Sequence, residues 1–565
     1  MAARDPLTLA VTGMLPFVLV SAAVIALPVS LFLLWLYRRS VLRSMRVRTA
    51  PAGTGGAGSI LVPPGATPAA WPSPAARLPV EAVDAESTVL VGPRAGALLR
   101  EARRAPWRAA AVYAAAGLAY AVVMATTFQL VADGVVRPVR STLFVWTFAW
   151  PVVLVVRLVA GSDPRARRAA VGAYFAVLLG LFAFALVISP TTSAGQLLFL
   201  WADMNVPPTL LMLAFLNRRV RAVGPLVISF MILAILGANV ALSAAEPENR
   251  LRRIVEIGFA LGLGAYGIFL LILLVGAAFF AVLAALGLVW IRRRYEAGKI
   301  SDRSLTIDAL WLVFGVTQSM NLVFSGPLWL LAGPAALVAY KLVSRTGFAV
   351  TARRGGTEAP PVLLLLRVFS LGRRSERLFD ALATHWRHVG LVRLIAGPDL
   401  ATTTVEPHEF LDFVSGRLGR RFIDGPAALE RRIAETPAHP DREGRFRVGE
   451  FFCHDDTWPA VLTRLAGEAD AVMMDLRGFS TANAGCVYEV QALVNVVPVP
   501  RVALVYDDTT DRRFLDQTLE QAWAALRPDS PNRGAAAGAL RLVRYEGPRA
   551  LPSLLRSLCV AARAA

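Results

Sequence analysis

The chain has 565 residues, 56% of them hydrophobic and 18% charged, with a mean hydropathy of +0.54. A soluble domain carries roughly 45–50% apolar residues; here the surplus lies in long uncharged blocks before residue 344, which excludes a wholly soluble protein and points to an integral membrane protein with one added soluble domain. The net charge of +19 does not imply nucleic-acid binding, because all basic residues but Lys299 and Lys341 are arginines beside heavy Ala, Gly and Pro use, as in a GC-rich genome, and many flank apolar spans where topology explains them.

The first apolar block, 15–37, is followed at once by Arg38, Arg39, Arg43, Arg46 and Arg48. More than 20 apolar residues with the charge on the C-terminal side predict a retained transmembrane helix over 1–37 with its N-terminus outside, not a cleaved signal peptide. Residues 38–108 are basic, then rich in Ala, Pro and Gly without a sustained period, and predict a cytoplasmic linker with at most a short strand at 87–91. Apolar blocks follow at 109–131, 141–161, 169–189, 196–216, 224–244 and 257–291, with a Gly/Pro-punctuated block at 305–343. The arginine-bearing connections alternate as the positive-inside rule requires, apart from the loops with Arg137 and Arg140 and with Arg250, Arg252 and Arg253. Residues 257–291 predict one tilted crossing, and 305–343 two crossings that turn near Ser325-Gly326-Pro327. The multi-span region, 109–344, then crosses a cell (inner) membrane so that the whole chain has nine spans, with ten as the alternative, and places its C-terminus in the cytoplasm.

After a linker at 345–359 the pattern changes. Strand-like runs at 362–369, 391–396, 445–453, 471–476, 501–506 and 540–545 alternate with amphipathic stretches at 376–388, 410–420, 427–434, 459–466, 485–494, 513–526 and 551–564. Such alternation predicts a cytosolic, doubly wound parallel α/β domain over 360–565. Cys453, Cys486 and Cys559 form neither a disulfide framework nor a zinc pattern, in keeping with a reducing cytosol.

In the membrane region Asp203, beside Asn205 and the Pro207-Pro208 pair, is the acidic residue well inside a span and the candidate for ion or proton passage. Arg157 and Asp308 lie close enough to an interface to be structural. In the soluble domain, ligands of an open parallel sheet bind beyond the carboxyl ends of the strands. The first strand is followed by Ser370, Gly372, Arg373 and Arg374, where hydroxyl, backbone and guanidinium donors suit a phosphate at a helix N-terminus. Neither GxGxxG nor a Walker lysine is present, which argues against a nucleoside triphosphatase. Cys453 and His454 are strand neighbours that face opposite ways, so His454 reads as a satisfied strand-end residue. Asp507, Asp508 and Asp511 read as a turn and helix cap, and no metal is assigned.

The most specific stretch is Asp475-Leu-Arg477-Gly478-Phe479-Ser480, a buried strand ending in a polar loop, followed by a helix carrying Cys486-Val-Tyr-Glu489. It resembles the TIR domain family, in which a strand and a serine-containing loop lead to a Trp-Cys-x-x-Glu helix; Gly485 stands where that Trp would be, and Val368-Phe369-Ser370 resembles the family's opening box. The resemblance implies a flavodoxin-like fold that either assembles in signalling, as a homo-oligomer, or cleaves the nicotinamide bond of NAD with Glu489 at the catalytic position. Asp475, Arg477 and Ser480, with Ser370, Gly372 and Arg373, would then bind a nucleotide-type ligand. NAD would be the substrate, and no cofactor is required. Without the resemblance, Glu489 reads as a helix carboxylate paired with an arginine such as Arg477. The expected function is a membrane signalling or effector protein; the alternatives are a transporter or channel with a regulatory cytosolic domain, or a non-catalytic membrane scaffold.

Overall fold

A computed structural model describes residues 25–43, 78–84, 91–160, 164–189, 192–215, 248–297, 300–323, 327–351, 359–367, 373–396, 407–414, 418–454, 456–534 and 538–563, with scattered positions between. The α/β part is built on eight parallel strands: β1 (Val80–Val83), β2 (Val362–Arg367), β3 (Leu391–Ala396), β4 (Phe422–Ile423), β5 (Val448–Cys453), β6 (Ala471–Asp475), β7 (Val502–Tyr506) and β8 (Leu540–Arg544). Their order across the sheet is β1-β8-β7-β6-β2-β3-β5-β4. The strands are near-continuous apolar runs because helices cover both faces. Leu363, Leu365, Leu394, Met473 and Val505 face the helices Arg373–Trp386 and Leu551–Ala561, whereas Leu364, Leu366, Phe451, Val472, Met474 and Leu504 face Trp458–Gly467, Ala484–Val496 and Arg512–Ala524.

Setting aside the outermost β1 and β4, the six remaining strands stand in the order 3-2-1-4-5-6 of dinucleotide-binding sheets. The flavodoxin order 2-1-3-4-5 is contained in this sheet but does not describe it, because β5 comes between β3 and β6 in sequence and extends the sheet beyond β3. In either order the direction of winding reverses between β2 and β6, which is where such sheets open a crevice.

Two stretches of the predicted 38–108 linker are instead part of this domain. β1 pairs with β8, Val80 opposite Leu540 and Val83 opposite Val543. A single 41-residue helix, Pro93–Asp133, runs straight through the boundary expected at 108, its Ala95 and Ala102 in the sheet core and its Ala109 to Ala125 face in the helical core. At 1.5 Å per residue it is about 60 Å long. Its first third carries no apolar period in sequence because it packs through alanines, and β1 has three of its four residues exposed. The strand considered at 87–91 lies almost wholly outside the described residues.

Among the described residues four helices are long and apolar enough to cross a membrane: Ile25–Arg43, Pro93–Asp133, Arg168–Ile188 and Ala265–Tyr295. The pair Pro138–Phe148 and Trp150–Ala160, bent by 43°, makes five if it is one span. Three more helices, Ala194–Phe215, Asp302–Val323 and Ala332–Thr351, occupy blocks read as spans but are diluted by prolines or by polar residues such as Asp203, Asp308 and Lys341. Most of block 224–244 lies outside the described residues. The 257–291 block divides at Gly262, which has a positive φ of 77°, into the end of a helix with charged residues, Glu248–Ala260, and one apolar helix, Ala265–Glu296.

The helical core is closed by a tight hairpin. A Cβ on Gly333 would lie 2.4 Å from the Gly315 carbonyl oxygen and 2.4 Å from Ser319 Oγ. Gly333→Ala is therefore expected to push Asp302–Val323 and Ala332–Thr351 apart and to lower the melting temperature in detergent by several degrees, roughly 1–3 kcal/mol. Gly180→Ala, which meets nothing within 4 Å, serves as the control and should leave it unchanged.

Candidate functional site

At the reversal point the ends of β2 and β6 lie side by side, Arg367 opposite Asp475. Asp475 is fully buried. Its Oδ1 accepts from the Arg477 backbone N–H at 3.3 Å and Nε at 2.8 Å. Its Oδ2 accepts from an Arg477 terminal nitrogen at 2.7 Å and from Ser375 Oγ at 2.7 Å. Four donors fill a carboxylate that has about four lone-pair sites, so Asp475 has little left to offer a ligand. Arg477 also donates to the Arg374 carbonyl oxygen at 3.1 Å and lies 5.3 Å from the Tyr545 ring centroid. Burial works against its charge, but Asp475 outweighs that and holds the guanidinium above its usual value. The expected ligand pair Asp475 and Arg477 is thus a structural hub joining β6, the start of helix 373–386 and the end of β8.

The other predicted residues are placed differently. Ser370 and Gly372 lie outside the described residues, and Arg373 opens the 373–386 helix. The neighbouring Arg374 pairs with Asp507. Ser480 belongs to a turn, its backbone N–H donating to Asn483 Oδ1 at 2.9 Å just before helix 484–496. Asp511 caps the next helix by accepting from the Phe514 N–H. His454 is buried against Asp424 at 3.1 Å, and burial pushes the Cys453 thiol up to about 12, far from a reactive thiolate. Asp203 is exposed, while its neighbour Asn205 is buried and donates to the Thr147 carbonyl oxygen at 3.1 Å. Asp308 pairs with Lys341. Among the described residues no group of three or more acidic, histidine or cysteine side chains could hold a metal.

Glu489 stands apart from that hub, on the second turn of helix 484–496 and against the opposite face of the sheet. It is 3% exposed, and its Oε2 has no hydrogen-bond partner among the described residues. The arginine that acts on it is Arg367 at the end of β2, not Arg477, which is committed to Asp475. Glu489 and Arg367 line one small cleft with Leu365, Leu366, Phe379, Leu394 and Ile395. The cleft volume, about 10 Å³, is at the lower limit for a single water. Burial pushes the Glu489 carboxyl up to about 8, with the Arg367 charge pulling the other way. A neutral acid with a vacant oxygen beside a guanidinium can donate a proton, accept one after ionising, or stabilise a cation.

Sequence reasoning missed Arg367 and Phe379. The only signal for Arg367 is that an arginine closes a run of five apolar residues, Val362–Leu366; Phe379 is indistinguishable in sequence from any other core residue of an amphipathic helix. No known protein family, curated protein or solved structure matches the chain.

Proposed function

We propose that the chain is a multi-pass membrane protein whose α/β domain faces the cytoplasm, binds a nucleotide-type ligand over the β2–β6 crevice, and hydrolyses NAD with Glu489 as the reacting-centre carboxylate. The observation that carries the reading is the buried Glu489, with an oxygen unpartnered among the described residues, in a cleft at the carboxyl end of β2. The arginine-flanked apolar helices support the membrane placement.

In this reaction the bond between the ribose C1′ and the nicotinamide nitrogen breaks, and its electron pair leaves on the nicotinamide. Water adds at C1′ and releases its proton, giving ADP-ribose. Glu489 acts as the anion: its carboxylate accepts from the ribose hydroxyls and offsets the positive charge that grows on the ring, an effect worth several kcal/mol in a dry site. The cationic nicotinamide riboside favours the ionised carboxylate that burial disfavours. Activity should therefore rise with pH toward about 8, where Glu489 loses its proton. The test is nicotinamide release from NAD by the full chain in detergent or nanodiscs. Release that falls at least about a hundredfold in Glu489→Ala is expected; release that is undiminished in that variant, or none from the folded full chain, overturns the reading.

A further inference from the structure

The Glu489 cleft is too small for a nucleotide, so something that lines it must move before a ligand can enter. Phe379 is on the helix Arg373–Trp386, a 14-residue rod about 21 Å long. At its first turn Ser375 bonds Asp475 and Arg374 pairs with Asp507, both at the crevice. Its last turn reaches the long helix 93–133. His385 Nδ1 lies 3.1 Å from the Ala102 carbonyl oxygen on the long helix 93–133. Just beyond it, Arg387 exchanges two bonds with Phe446: its carbonyl oxygen accepts from the Phe446 N–H at 2.6 Å and its Nε donates to the Phe446 carbonyl oxygen at 2.8 Å.

Phe446 belongs to a tight loop, 441–447, whose shape is set by the Asp441 carboxylate accepting from the N–H groups of Glu443 and Arg445, and by Gly444 at φ 74°. This loop grips the connection between helices 265–296 and 302–323. Glu443, 8% exposed, accepts from Ser301 Oγ, and Arg447 donates to the Tyr295 carbonyl oxygen with its guanidinium 4.1 Å from the Tyr295 ring centroid. Arg303 and Arg445 are buried with them. One helix thus has its beginning at the crevice, its middle against the Glu489 cleft, and its end held by the long helix 93–133 and by the 441–447 loop, which in turn bonds Ser301 and Tyr295.

We propose that the 441–447 loop is a clamp on helix 373–386, so that the Glu489 cleft stays closed while Ser301 and Tyr295 hold the loop and opens when those two residues shift away from it. The proposal rests on the reading of Glu489 as the reacting residue for its purpose, but its geometry does not depend on which ligand enters. A rearrangement of helices 265–296 and 302–323 is then the signal that admits ligand, because packed elements switch between discrete arrangements.

The test uses the full chain in nanodiscs with Glu489→Cys as reporter, a small methanethiosulfonate as probe, and peptide mass to read that position alone. Ser301→Ala removes the hydroxyl donor to Glu443, and Arg447→Ala the guanidinium donor to the Tyr295 carbonyl oxygen, so the two loosen the clamp through different contacts. Both are expected to raise the labelling rate about tenfold, in the range of ordinary coupling between sites, with faster amide exchange in 441–447 marking the released loop. Faster exchange in that loop with labelling unchanged in both variants overturns the clamp, as does rapid labelling in the parent. Chains with Glu489 retained are assayed with NAD in parallel. Faster labelling without NAD cleavage keeps the clamp and removes the glycohydrolase reading, whereas cleavage that is independent of both substitutions, with unchanged labelling, does the reverse.

Discussion

Replacing Asp475 by alanine is expected to destabilise the α/β domain by about 3–5 kcal/mol, because it leaves a buried guanidinium without its counter-ion. Arg477 is 5% exposed, and three of its nitrogens reach Asp475. Ser375 loses its acceptor in the same step. Such a loss is a large part of the 5–15 kcal/mol that holds most domains together, so the variant should be cleaved by protease within its soluble part under conditions where the parent survives. The paired variant Asp475→Leu with Arg477→Met is expected to recover most of the loss, since removing both charges leaves no ion stranded. Urea midpoints of the three chains, followed by cleavage of the soluble part, decide the matter; a single variant as stable as the parent would show that the hub does not hold the crevice.

Glu489→Gln should stabilise the protein, and only at high pH. The folded state raises the Glu489 carboxyl from its usual range near 4.5 to about 8, so between those values the folded protein holds a proton that the unfolded chain has released. Stability from this group is complete below about pH 4.5 and is lost as pH climbs toward 8. Glutamine imitates the neutral acid at every pH. The variant should therefore melt close to the parent near pH 5 and above it at pH 8.5, by roughly 5 kcal/mol if the whole shift is expressed. A difference that is the same at both pH values would mean that Glu489 does not change charge on unfolding.

The strands were the most legible part of the chain. β3 coincides with its sequence-predicted run, and β2, β5, β6, β7 and β8 differ from theirs by one to three residues at an end, because apolar runs of five or six bounded by polar turns leave few other readings. β4 has two residues and β1 four, too few to show a period, and β1 finds its partner only through the far end of the sequence. The long apolar helices were less legible where polar residues interrupt them, as at Asp203 and Asp308. At the site, Glu489 was found by its place on the helix after a strand end, whereas its charge partner was misassigned. Sequence proximity favoured Arg477, but the pairing of Arg477 with Asp475 two residues away takes its guanidinium out of play. Arg367, 122 positions before Glu489 in the numbering, is brought to it only by the parallel pairing of β2 with β6.

The seat of β1 beside β8 also sets a timetable for biosynthesis. Val80 and Leu540 are 460 positions apart, so at 5–20 residues per second the first strand waits on the order of half a minute to a minute and a half for its partner to be made. In that interval the Ala95 and Ala102 end of the long helix lacks helix Leu551–Ala561, which packs on it in the finished fold. The nascent chain accordingly displays an alanine-lined helix end and an unpaired strand until β8 has been made, and a ribosome that stops before residue 540 releases a product in which β1 has no partner. Forms of this chain truncated before β8 should be a burden on chaperones and proteases because their β1 edge stays unpaired.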